Sequence, residues 1–216
     1  MKTEILRNIF ISVAVLFALA GPLAADKPQP TIITFDASGT ATGTQPWGFN
    51  PGGAIAGYYH HADTVIHGFL RARDGTITTF DAPGACTVQS CTNPFQGTFA
   101  WNINPAGKIA GYYNDASNVA HGYMRAPDGT ITTIDAPGAG TGPFQGTFAY
   151  NINPAGAING YYVDAGGVAH SYVRAPDGTI TSFDAPGAGT GPGQGTYASP
   201  FNCLNPAGAI RGSSHR

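Results

Sequence analysis

Charge is scarce in this chain: Asp, Glu, Lys and Arg make up 10% of its 216 residues, against about 25% in an average soluble domain. Glutamate occurs once, at Glu4, and acids exceed bases by 12 to 10. No surplus of positive charge exists to neutralise phosphates, which excludes an electrostatic nucleic-acid binder. Charged heptads are missing, which excludes a coiled coil, and no long apolar run follows residue 20, which excludes a membrane channel built of helices. The chain has no G-x-S-x-G, H-E-x-x-H, P-loop or dinucleotide fingerprint. What is abundant is turn chemistry and apolar mass. Gly (31) and Pro (17) stand beside a 42% hydrophobic and 11% aromatic fraction, too apolar for a disordered chain.

The first segment reads as an address. Lys2 and Arg7 precede the apolar run from Ile9 to Ala20, and small residues follow at Ala18 to Ala20 and at Ala25. This pattern predicts a secretory signal peptide over 1–25, too short in its apolar part for a membrane anchor. Residues 26–216 are then the mature domain, secreted, periplasmic or at the cell surface, with no membrane span after signal removal. Export implies oxidising surroundings. Cys86 and Cys91 flank four residues in GACTVQSCTNP, a stretch absent from the matching loop later in the chain, and are expected to form a disulfide. Cys203 is left over, and a buried thiol is expected there.

Self-similarity dominates the rest. NPGGAIAGYY begins at Asn50, NPAGKIAGYY at Asn104, NPAGAINGYY at Asn153, and a shortened NPAGAIRGSS at Asn205. RARDGTITTFDAPGA from Arg71 returns from Arg125 and Arg174, and HGF at His67 returns as HGY at His121 and HSY at His170. Each unit reads as four short strands rich in aromatic and β-branched residues, such as TFAYNI, AINGYY, VAHSYV and TITSF. Asn-Pro-Ala-Gly and Ala-Pro-Asp-Gly suit type I turns, and Ala-Pro-Gly suits type II. Adjacent tyrosines at Tyr112-Tyr113 and Tyr161-Tyr162 point to opposite faces, so both can be buried only where a sheet is covered on both sides. The glycine before each pair (Gly57, Gly111, Gly160) leaves room for close approach of a neighbouring backbone.

Four-stranded units of about 50 residues predict an all-β fold of propeller type. The units run approximately over 37–81, 82–135 and 136–184, with a split unit made of 185–213 plus 31–36. Pairing the two end fragments would close a ring of about four blades and remove open edges; a longer propeller of which this chain is a part is the alternative.

The Asn-containing turn, G-x-I-x-GYY, the His-Gly-Phe triplet, D-G-x-I-T-x-x-D-x-PGA and the export signal together resemble the HAF-type bacterial extracellular repeats over residues 31–213. The chain departs from the family's His-Ala-Phe triplet at Gly68, Gly122 and Ser171. The resemblance implies a secreted or surface protein and carries no activity with it.

The recurring polar residues point to structure. His67, His121 and His170 fall on the third strand of their units, roughly 10 Å further out than the first at a strand spacing of about 4.8 Å. They cannot converge on one metal ion, and each is expected to bond within its own unit. Asp81, Asp135 and Asp184 precede Ala-Pro-Gly and are expected to satisfy turn amides. Arg71, Arg125 and Arg174 are expected to pair with nearby aspartates. No catalytic residue, cofactor or metal is expected. Function in a repeat scaffold sits where units differ, which singles out Trp47, His60, His61, Asp63 and Arg73 as candidate ligand-binding residues. The leading expectation is a noncatalytic interaction scaffold whose partner is a protein or polysaccharide at the cell surface. A carbohydrate-binding propeller is the alternative, since Trp47 and Trp101 offer flat faces to sugar rings; a lyase or hydrolase ranks last.

Overall fold

The computed structural model describes residues 32–37, 41–61, 65–86, 91, 96–198 and 204–216. The expected signal peptide, Asp63 and Cys203 lie outside the described residues. Among the described residues there is no helix, and the all-β expectation holds. The first unit contains β1 (Ala41–Phe49), β2 (Ile55–His61), β3 (Ile66–Arg71) and β4 (Ile77–Phe80). The second contains β5 (Thr98–Ile103), β6 (Ile109–Asn114), β7 (Ala120–Arg125) and β8 (Ile131–Ile134). The third contains β9 (Gly146–Ile152), β10 (Ile158–Val163), β11 (Ala169–Arg174) and β12 (Ile180–Phe183), and β13 (Gly195–Ala198) and β14 (Gly212–His215) follow.

Each complete unit is an antiparallel meander in which the first strand pairs the second, the second the third and the third the fourth. The turn after the first strand shows why. In Asn104-Pro105-Ala106-Gly107 the Gly107 amide donates to the Asn104 carbonyl at 2.9 Å, and Gly107 has φ 79°, a conformation that costs glycine nothing. The Asn104 side-chain oxygen then accepts the Lys108 amide at 3.0 Å, completing the turn.

Successive units are joined by short parallel contacts. Gly97 bridges Ile66, Gly146 pairs Ala120 and Gly195 pairs Ala169. The first strand of each unit therefore lies beside the third strand of the unit before it. Between units the sheets bury apolar faces against each other. Ala56 of β2 packs with Ala100, Ile103 and Ile109, and Leu70 and Phe80 close the cluster. The next junction repeats it with Ala110, Ile134, Ala149, Ile152 and Ile158, flanked by Met124 and Ile180.

The paired tyrosines divide between the two faces. Tyr59, Tyr113 and Tyr162 stack on the histidine of their own unit, while Tyr58, Tyr112 and Tyr161 join an aromatic row on the other face. A side chain at Gly111 would collide with the Phe99 carbonyl and the Tyr123 ring, which is the close approach its position predicts.

The chain ends differ from the expected ring closure. Residues 32–36 lie outside any strand, Ile32 and Ile33 are exposed, and among the described residues β14 pairs only β13. The physical reason lies in the ladders: a fourth strand pairs only the third strand of its unit. Among the described residues the split unit has no third strand to carry one. Phe35 packs edge-on against Phe69 at 5.8 Å instead.

Candidate functional site

The recurring histidines and aspartates form one clasp per unit. His67, His121 and His170 donate from Nδ1 to Asp81, Asp135 and Asp184 at 2.9, 2.8 and 3.0 Å. Each bond ties the third strand to the segment that follows the fourth. In two units a second carboxylate approaches Nε2, with Asp115 at 3.7 Å from His121 and Asp164 at 3.4 Å from His170. Those aspartates also cap their own turns through the amides of Val119 and Val168, at 2.8 Å each. The bond to Asp135 raises the pKa of His121 against the opposing effect of burial, and the Val168 amide leads in lowering that of Asp164. Every clasp thus joins its histidine and aspartate within one unit. Among the described residues no group of three or more His, Cys, Asp or Glu is placed to hold a metal ion.

The expected role of the aspartates in capping the Ala-Pro-Gly turns is corrected. The amides of Ala82, Ala136 and Ala185 donate to the hydroxyls of Thr98, Thr147 and Thr196, at 3.0, 2.9 and 2.8 Å. These threonines lie on the first strand of the next unit, so the cap is also a junction between units. Ala37 and Thr44 repeat it at 3.0 Å. With the amides taken, the carboxylates are left to the histidines. The amides of Thr76, Thr130 and Thr179 lead in lowering the carboxyl pKa values of Asp74, Asp128 and Asp177, and the charges of Arg71, Arg125 and Arg174 add to the effect, in line with the expected pairing. The arginines make other contacts as well. Arg71 lies 5.0 Å over the Phe35 ring and Arg125 4.8 Å over Phe80, a cation–π arrangement. Arg174 donates to the Ala175 carbonyl at 3.4 Å.

An asparagine ladder runs through the stack. The side-chain amide of Asn50 donates to the Asn104 carbonyl at 3.2 Å, Asn104 to Asn153 at 3.2 Å, and Asn153 to Asn205 at 3.4 Å. The three steps span 54, 49 and 52 residues, which are the repeat intervals. Asn50, Asn104 and Asn153 therefore each shape their own turn with Oδ1 and link to the following unit with Nδ2.

Of the described candidate ligand residues, Trp47 and His60 both meet Tyr58, while His61 and Arg73 lie apart from them. Trp47, read from the sequence as unmatched, occupies the place of Trp101 and Tyr150. All three fall at the register shift between the first and second strands of their units. They form a continuous row, with ring centroids 4.6 Å apart between Trp47 and Trp101 and 5.1 Å between Trp101 and Tyr150. Burial pushes up the hydroxyl pKa values of Tyr112, Tyr150 and Tyr161 along the same row. His60 meets the edge of Tyr58 and lies 3.2 Å from the Gln45 amide. His61 faces the other side, edge-on to Tyr59 and perpendicular to His67 at 5.7 Å. It stands where Asp115 and Asp164 stand in the later units. Arg73 is exposed in the turn after β3, its stem beside Gly53.

Sequence reasoning missed Phe49. Its counterparts Ile103 and Ile152 are 4% and 5% exposed, whereas Phe49 is 81% exposed. With Pro46, Trp47, Gly48 and Ile55 it lines an apolar hollow of about 350 Å³ on the first unit. The apolar residue before each Asn-Pro turn was the available signal, but its burial depends on a neighbouring sheet. The expected Cys86–Cys91 disulfide is present. Among the described residues no helix is long and apolar enough to cross a membrane. No protein-family model matches the chain, and comparison with curated proteins finds no match.

Proposed function

We propose that this chain is a noncatalytic, exported scaffold of the HAF-type repeat kind, built from propeller-type blades and presenting surfaces to partners in the envelope or outside the cell. One observation carries the reading: each repeated histidine and aspartate is engaged in a clasp inside its own unit, and each repeated asparagine in a link between units. The repeated polar residues thus serve the stack. The disulfide fits the oxidising compartment that export implies.

A carbohydrate-binding role is the second reading, favoured by Trp47, which keeps 37% of its surface exposed at the end of the aromatic row. A flat indole so placed suits the apolar face of a sugar ring. Arrays of cell-wall and extracellular polysaccharides, scored for binding and for release of new chain ends, test both readings. The scaffold reading expects no release of chain ends and no binding that depends on Trp47. Binding that disappears in Trp47→Ala would move the conclusion to carbohydrate recognition. Turnover abolished by His60→Ala or His61→Ala would establish an enzyme.

A further inference from the structure

The stack contains the same junction several times, and among the described residues the leading face of the first unit and the trailing face of the last are unmatched halves of that junction. On the leading side of a unit, an apolar residue of the first strand and an isoleucine opening the second strand insert into the unit before. These are Ile103 with Ile109, and Ile152 with Ile158. In the first unit the corresponding pair is Phe49 and Ile55, and Phe49 stands in solvent. On the trailing side, Asn50, Asn104 and Asn153 each donate an amide to the next unit. Asn205 is the next in that series, and it is exposed.

We propose that the first unit of one chain seats on the last described unit of a second copy, head to tail, in the manner of the internal junctions. The Asn205 amide of one copy would then donate to the Asn50 carbonyl of the other, adding a rung to the ladder. Phe49 would lie over β14 and the residue before it, Arg211, which occupies the place of Ala56 and Ala110 and is exposed. A guanidinium over a phenylalanine ring is a contact the protein already makes twice, through Arg71 and Arg125. This complementarity accounts for an aromatic residue at position 49, where the other complete units carry isoleucine and the split unit carries Leu204. Such an association is heterologous, so it generates rings or open filaments rather than a closed two-fold dimer.

The inference deepens the scaffold reading and rests on it. Light scattering and sedimentation of residues 26–216 across a concentration series test it. The expected result is reversible self-association, weakened at least about tenfold by Phe49→Asp, the loss that removing an aromatic anchor brings. Circular dichroism of that variant should match the wild type, since the side chain is exposed. In a Cys203→Ser background, Phe49→Cys chains mixed with Arg211→Cys chains should cross-link to each other on mild oxidation. A protein monomeric at every concentration would overturn the inference. So would Phe49→Cys chains that cross-link only among themselves, or a chain carrying both cysteines that cross-links internally at high dilution. A strict monomer that still captured an envelope partner would overturn the second-copy docking alone and leave the scaffold reading standing.

Discussion

At the scale of single residues, the deciding event is competition for hydrogen-bond partners. Asp135 and Thr147 could each cap the Ala136 amide; the hydroxyl takes it at 2.9 Å, and the carboxylate turns to His121 at 2.8 Å. The charge-assisted bond is the stronger use of a carboxylate. Because that bond raises the pKa of His121 above its ordinary 6.5, the folded state binds the proton more tightly than the unfolded chain does. The stabilisation is complete below about pH 6.5 and is lost as pH rises through the raised folded value. At the acid end, Asp164, lowered by the Val168 amide and by His170, contributes stability that disappears as pH falls through its depressed value. Thermal unfolding should therefore show a higher Tm at pH 6 than at pH 8, and His121→Gln should flatten that difference. An unchanged pH profile in the variant would show that the clasp contributes nothing.

At the scale of elements, the loops that join units set how independently each meander can move. The Cys86–Cys91 bridge closes a loop five residues apart in sequence just before Gly97 meets Ile66. The bridge limits the freedom of the extra residues in the unfolded chain. Loop-closure entropy for so short a loop gives about 2 kcal/mol. Replacing both cysteines by serine should lower unfolding stability by about that amount in urea titration while leaving the far-ultraviolet spectrum unchanged. A loss near zero would place the benefit of the bridge elsewhere than in folding stability. The repeats made the turns and strands of each unit readable, because Asn-Pro-Ala-Gly and Ala-Pro-Gly specify their geometry locally. Trp47 was harder to place: ATGTQPWGF shares with QGTFAWNI only a Gly-Thr pair and a tryptophan three residues before the Asn-Pro turn, and the common register shift makes the match plain.

At the scale of the whole molecule, stability is shared between neighbours, since each unit buries its apolar face only against the next. Units with neighbours on both sides should be the most protected. Amide hydrogen exchange is expected to be slowest in β6, β7, β9 and β10, and fastest in β14, whose residues are all exposed. Equal protection along the chain would mean that the units unfold as one block. Phe49 belongs to this scale as well. Its chemistry is that of Ile103 and Ile152, and among the described residues no sheet precedes it, which leaves it in solvent.

The sequence by itself determined the β class, the repeat interval, the turn types, the glycines at close approach and the disulfide. These follow from short-range rules: φ preference, side-chain alternation and cysteine spacing. Only the tertiary structure decided which partner each polar side chain takes, which aromatic rings form a row and which apolar face stays open. Those outcomes depend on groups brought together from about 50 residues away, where several pairings are chemically acceptable and packing selects one.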